Sequence, residues 1–182
     1  MGAQLWYHEA PWHPDPAVAL QALQARFLTE NYDLPSLLPQ HLIWAREAVA
    51  AAAAEGDPYG LVELYEERVR LLERLNKLAV PQDAQAQIEI LRQIYADGGQ
   101  GISNVLDVER ISEKRDTFTA QRLSVAEALR LVGTERPTID DARNSVSKIN
   151  EELCRGECVC FPVYDKAGKQ PVAWYFVGNT VD

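Results

Sequence analysis

Basic residues, histidines and cysteines are all scarce in this chain of 182 residues, and each shortage closes a class of function. Eighteen lysines and arginines face 27 aspartates and glutamates, for a formal net charge of −9. Nucleic acid and anionic membrane both select concentrated positive charge, so neither is an expected partner, while a basic protein is permitted. The only cysteines are Cys154, Cys158 and Cys160. An odd, clustered set does not make a disulfide framework, and C-x3-C-x-C is not the paired C-x2-C of zinc sites. A metal would need a further ligand from the distant His8, His13 or His41. Core packing is the ordinary account of such thiols. No metal and no cofactor are therefore expected.

Long apolar runs are also missing, so no membrane span is expected. The start, Met1-Gly2-Ala3-Gln4-Leu5-Trp6, lacks the basic and apolar regions of a signal peptide. Trp6 stands where a myristoylation motif wants Ser or Thr. The expectation is a cytoplasmic, reduced protein.

Catalytic signatures are equally thin. His8-Glu9 and His13 are interrupted by Pro11 and do not have the helical spacing of H-E-x-x-H. No serine or cysteine sits in an elbow such as G-x-S-x-G. Gly98-Gly99-Gln100-Gly101-Ile102-Ser103 follows an expected helix and precedes an expected strand. A phosphate cradle needs the reverse order, so this stretch reads as a helix cap and linker.

What the chain does contain is enough apolar material, 47%, for a core without staples. A strand is expected over 3–9, then prolines, then a helix over 16–29 opened by Asp15-Pro16. Residues 31–39 read as a bend around Pro35 and Pro39. A second helix is expected over 41–55, with Leu42, Trp44, Ala45, Val49 and Ala52 as its apolar positions. Asp57-Pro58 opens a third, over 60–79, with a stripe of Leu61, Leu64, Leu71, Leu75 and Leu78. Glu66 with Arg70 and Glu73 with Lys77 are favourable i,i+4 pairs on it. The short connection makes these two helices an antiparallel hairpin. A fourth helix is expected over 83–96.

Strands are expected over 102–108 and 117–123. Ser124 with Glu127 forms a capping box opening a short helix that ends at Gly133. Thr138 with Asp141 repeats the device for a helix bearing Ile139, Ala142, Val146, Ile149 and Leu153. The chain then closes with two apolar runs, 158–164 and 172–177, around Asp165-Lys166-Ala167-Gly168-Lys169. An Asp-x-x-Gly loop between β-rich runs is a hairpin signal. Both faces of both runs are apolar, so this hairpin is expected to be covered on both sides.

Residues 100–182 resemble a group of uncharacterised bacterial proteins. The matching residues are Val105-Leu106-Asp107, Gly133-Thr134-Glu135-Arg136-Pro137-Thr138 and the hairpin from Tyr164 to Asp182. The resemblance implies one α+β unit and carries no catalytic residue.

The expected fold is α+β: a small mostly antiparallel sheet packed against a multi-helix layer, in one domain over 1–182. Its helical layer spans about 15–97, and its strand-rich half is about 98–182 plus the N-terminal strand. The expected function is a non-enzymatic protein-binding module, of immunity-protein or inhibitor type, that occludes a partner. The candidate surface is the acidic edge Glu63, Glu66 and Glu67 of the longest helix, with Tyr59 and Trp12 as aromatic anchors. A solvated helix face is the ordinary reading of those glutamates, and core packing that of the aromatics. The alternative is an enzyme or small-ligand binder with a site between helices and sheet, using Glu9, His8 or Asp107.

Overall fold

The computed structural model describes residues 4–95, 102 and 104–179. The glycine-rich stretch 97–101 lies outside them. In chain order the elements are β1 (Leu5–Pro11), α1 (Pro16–Asn31), α2 (Leu34–Ala54), α3 (Leu61–Asn76), α4 (Ala84–Tyr95), β2 (Arg110–Ser112), β3 (Thr119–Arg122), α5 (Val125–Val132), α6 (Ile139–Glu152), β4 (Cys158–Tyr164) and β5 (Pro171–Asn179). The fold is α+β. It divides into two compact units, Met1–Leu28 with Tyr95–Asp182, and Thr29–Ile94.

The first unit is built on the C-terminal hairpin. Gly168 takes the left-handed conformation at φ 66°, its N–H reaches the Asp165 carbonyl at 2.8 Å, and Asp165 Oδ1 accepts from the Lys169 N–H. The sheet runs β1-β5-β4-β3-β2, so both hairpin strands are internal. Val159, Phe161, Val163, Ala173, Tyr175 and Val177 face a core shared with Ala142, Val146 and Ile149 of α6 and Leu131 of α5. The opposite face carries Cys158, Cys160, Trp174 and Phe176, all buried. On that side Phe27 of α1 meets His8 edge-on at 4.9 Å, and the Trp174 indole N–H donates to the His13 carbonyl. Continuous apolar strands are those with both faces covered. Here that rule explains why 158–163 and 173–177 show no polar alternation.

The sheet is mixed and not mostly antiparallel. β1–β5 and β5–β4 are antiparallel, while β4–β3 and β3–β2 are parallel. The reason is the connection. Between β3 and β4 the chain passes through both α5 and α6, and such a helical crossover returns it to the same end of the sheet. β2 and β3 are three and four residues long, so the loop between them has little distance to recover. In that loop Phe118 takes a positive φ of 60°.

The strand expected over 102–108 is instead a 3-10 turn at Val105–Asp107. Asn104 Oδ1 accepts from the Leu106 N–H, and Asp107 Oδ1 accepts from the Ile102 N–H. These short polar side chains satisfy local backbone donors that a ladder would otherwise use. Gln24 of α1 fixes the turn from above, donating to the Val105 and Val108 carbonyls at 3.0 and 2.7 Å. Strand pairing begins only at Arg110.

Two helix expectations also change. α2 begins at Leu34, not 41, because Pro35 sits in its first turn, where no intrahelical N–H is needed. Pro39 is carried inside the helix. α1 groups mainly with the sheet unit and not with a layer of α2 and α3. Within the second unit α2 and α3 form the expected antiparallel hairpin. Asn76 donates to the Leu38 carbonyl, and Arg46 pairs with Glu73 at 2.6 Å. Arg68 ties α3 to α4 through the Gln93 carbonyl.

Candidate functional site

The connection between α2 and α3 is held by hydrogen bonds written in its residues. Asp57 Oδ1 accepts from the N–H groups of Leu61 and Val62 at 2.5 and 3.2 Å, capping α3 from a distance. Its backbone N–H is bonded back to Ala52 of α2. Asp57 and Gly60 both take positive φ, 49° and 66°, which Asp tolerates better than most residues and Gly tolerates freely. The result presents Tyr59 at the tip of the hairpin, 82% exposed.

Behind Tyr59 lies an open groove of about 260 Å³. One wall is the alanine side of α2, Ala48, Ala51 and Ala52. The rest is Pro58, Tyr59, Leu61 and Tyr65, with Glu55 and Asp57 carrying the acidic groups. Alanine has the best helix propensity and the least bulk beyond glycine, so a run of it gives a helix with a shallow side.

Glu63, Glu66 and Glu67 are all exposed on α3. Glu66 pairs with Arg70 at 3.1 Å as its spacing requires. The Glu73 carboxylate goes to Arg46 across the hairpin at 2.6 Å, where the sequence spacing suggested Lys77. The exposed face is acidic in its first two turns and basic beyond, at Arg70 and Arg74. That order also complements the helix dipole.

Trp12 is placed differently. It lies in the sheet unit, stacked on Trp174 with ring centroids 5.5 Å apart, and remains 36% exposed. Arg122 sits over the same Trp174 ring at 5.6 Å. Tyr59 and the three glutamates therefore share one hairpin, while Trp12 belongs to the other unit.

The sequence reading missed the exposed apolar residues of the second unit. Ile43, Trp44 and Leu64 are each about half exposed, although Trp44 counts among the apolar positions of its helix and Leu64 lies on the leucine stripe. On α3 the buried positions are Leu72 and Leu75, with Leu61, Tyr65 and Arg68 half-buried on the same side. An i, i+3, i+4 pattern containing this many leucines fits two adjacent stripes, and periodicity alone does not choose between them.

The titratable residues of the alternative reading do not converge. His8 and Glu9 are neighbours on β1 and so point to opposite faces of the sheet. His8 lies between Trp6 and Phe27, and burial, then the Arg26 charge, lowers its pKa. Glu9 accepts from Arg143 at 2.8 Å. Asp107 holds the 3-10 turn. Cys158 and Cys160 share the buried α1 side of β4, where burial raises Cys158 well above the ordinary thiol range and Cys160 to about 12. Neither is a thiolate at neutral pH, and the thiolate is the nucleophile and metal ligand. Among the described residues no group of three or more His, Cys, Asp or Glu side chains is placed to hold a metal.

A second cleft, of about 370 Å³, opens where α6 begins beside the hairpin loop, between Thr138, Asp140 and Arg143 on one side and Tyr164, Lys166 and Val172 on the other. Among the described residues no helix is long and apolar enough to cross a membrane. No family model matches the chain, and comparison with curated proteins and with solved structures gives no match.

Proposed function

We propose that the protein is a non-enzymatic binding module of the immunity-protein or inhibitor type, which occludes a basic partner protein with the α2–α3 hairpin. The observation that carries this reading is the combination at that hairpin. An almost fully exposed tyrosine, on a loop bonded through Asp57, shares the hairpin with exposed Glu63, Glu66 and Glu67, and half-exposed Ile43, Trp44 and Leu64 lie on the same two helices. Exposed aromatics with a charged surround are the usual anchors of a protein interface. The surrounding charge fits a basic partner, since Thr29–Ile94 carries eleven acidic and six basic side chains.

Partners recovered on the immobilised protein supply the test. Association should be timed for wild type and for Glu63→Lys/Glu67→Lys at low and high salt. Steering by exposed charge weakens with ionic strength, because the screening length is only about 8 Å at physiological salt. The double variant should associate at least about tenfold more slowly at low salt. An unchanged rate removes this face from the binding site.

The cleft at the start of α6 favours a second reading, a small-ligand binder. Its volume is in the range of small-molecule sites, and it combines Arg143 and Lys166 with Tyr164. Here Arg143→Ala and Lys166→Ala should abolish binding of any ligand found by screening, with the hairpin variants inert.

A further inference from the structure

We infer that the groove behind Tyr59 is a recognition pocket for one arginine side chain of a protein partner. This rests on the binding-module reading and names the chemistry at its centre. The groove is lined by Ala48 and Ala51, by two tyrosines, Tyr59 and Tyr65, and by Glu55. A guanidinium is planar, weakly hydrated and stacks on aromatic faces, and it donates in a fork that fits a carboxylate. An alanine wall leaves the groove open to such a plate, where a branched side chain would fill it. The other carboxylate, that of Asp57, is already bonded to two α3 N–H groups. Glu55 is thus the exposed carboxylate at this groove that is left for a guest.

Two features tie the pocket to an arginine and separate it from an apolar anchor, and a third favours binding of either. Tyr59 is 82% exposed, so a guest against it need not be fully desolvated. The unit that holds the groove is strongly acidic, which favours a cationic guest at encounter. The loop is already fixed by the Asp57 bonds to Ala52, Leu61 and Val62, so little ordering opposes binding. Ion pairing at an exposed carboxylate is individually weak, so the stacking on tyrosine and the second contact to Glu55 must act together.

The probes are short peptides, Gly-Gly-Arg-Gly-Gly with its lysine and citrulline counterparts, titrated into the isotope-labelled full chain and followed by NMR. The arginine peptide should shift resonances of Ala48, Ala51, Tyr59 and Tyr65 with millimolar saturation. Binding should weaken at least about fivefold for citrulline, for Tyr59→Ala and for Glu55→Gln. The lysine peptide should bind more weakly than arginine, since an ammonium lacks the planar fork. Ala51→Leu, which fills the wall and is exposed in a helix, should block binding without unfolding the chain. Equal binding of arginine and citrulline peptides, or shifts spread over every acidic surface and untouched by Tyr59→Ala, overturns the pocket. The outcomes for pocket and module are separable. A partner that binds normally to Tyr59→Ala but not to Glu63→Lys/Glu67→Lys refutes the pocket alone. Arginine-specific shifts with no effect of any hairpin variant on partner association refute the module reading alone.

Discussion

Gly178, next to the C-terminal end of β5, offers the most discriminating test of the sheet. It pairs directly with Trp6 of β1, and the Trp6 ring lies against it. A Cβ built on Gly178 would stand 2.1 Å from Trp6 Cζ2, and two other ring atoms lie closer than 3 Å. No side chain tolerates that approach, and a glycine in a strand often marks such a contact. Gly178→Ala must therefore push the indole off the strand. An indole buries about 150–250 Å² in full, and Trp6 is half-buried. Losing that half at about 25 cal/mol/Å² costs about 2–3 kcal/mol. The stack of Trp6 on His8, with centroids 5.8 Å apart, is lost with it.

The assay follows the sheet unit by its own buried thiols. In a Cys154→Ser background, labelling of Cys158 and Cys160 under increasing urea reports the free energy of opening that face. Gly178→Ala should lower it by about 2–3 kcal/mol. In a Trp6→Ala background the clash is absent, and the same substitution should cost less than about 0.5 kcal/mol, because alanine loses less chain entropy than glycine. The coupling in this cycle is the contact itself. A cost below about 0.5 kcal/mol for Gly178→Ala in the wild-type background, or equal costs in both backgrounds, refutes the packing of Trp6 on Gly178.

Other outcomes follow from the same structure. Leu72→Ala, at a fully buried position, should cost about 2–5 kcal/mol in chemical denaturation, and Leu64→Ala, half exposed, under about 1; equal costs would mean the stripe is wrongly placed. Asp57→Ala removes the distant cap and puts alanine at positive φ, for about 1–2 kcal/mol, whereas Asp57→Asn should be close to neutral in the same measurement. His8 has a folded pKa below its ordinary 6.5, so the unfolded chain binds its proton first. Stability from this residue is whole above pH 6.5 and falls as the pH drops towards the folded value, and a His8→Leu variant should show a flatter stability–pH curve between pH 7 and 5. At pH 8 a thiol reagent should label Cys154 in the native protein while Cys158 and Cys160 stay protected until the sheet opens; labelling of all three at one rate would contradict their burial.

The sequence by itself determined the local devices. Both capping boxes form as read, with Ser124 and Glu127, and Thr138 and Asp141, exchanging their bonds. The Asp165–Gly168 turn and the α2–α3 connection depend on residues within a turn or two of one another, and the two-sided burial of the hairpin strands is legible in their unbroken apolar runs. Helix starts and turns are satisfied by neighbours, so a linear pattern carries them. Only the tertiary structure decided the rest. The parallel pairing of β3 with β4 depends on how α5 and α6 cross the sheet, and β2 is a strand only because β3 lies beside it. Gln24 holds a 3-10 turn more than eighty residues away, in a segment that reads as a strand from the chain alone. The same holds for the candidate site. The glutamates and Tyr59 could be named from the chain, but the alanine wall behind the tyrosine and the exposure of Trp44 and Leu64 could not. Which stripe of an amphipathic helix is buried is set by the partner that covers it, and that partner is not written in the helix.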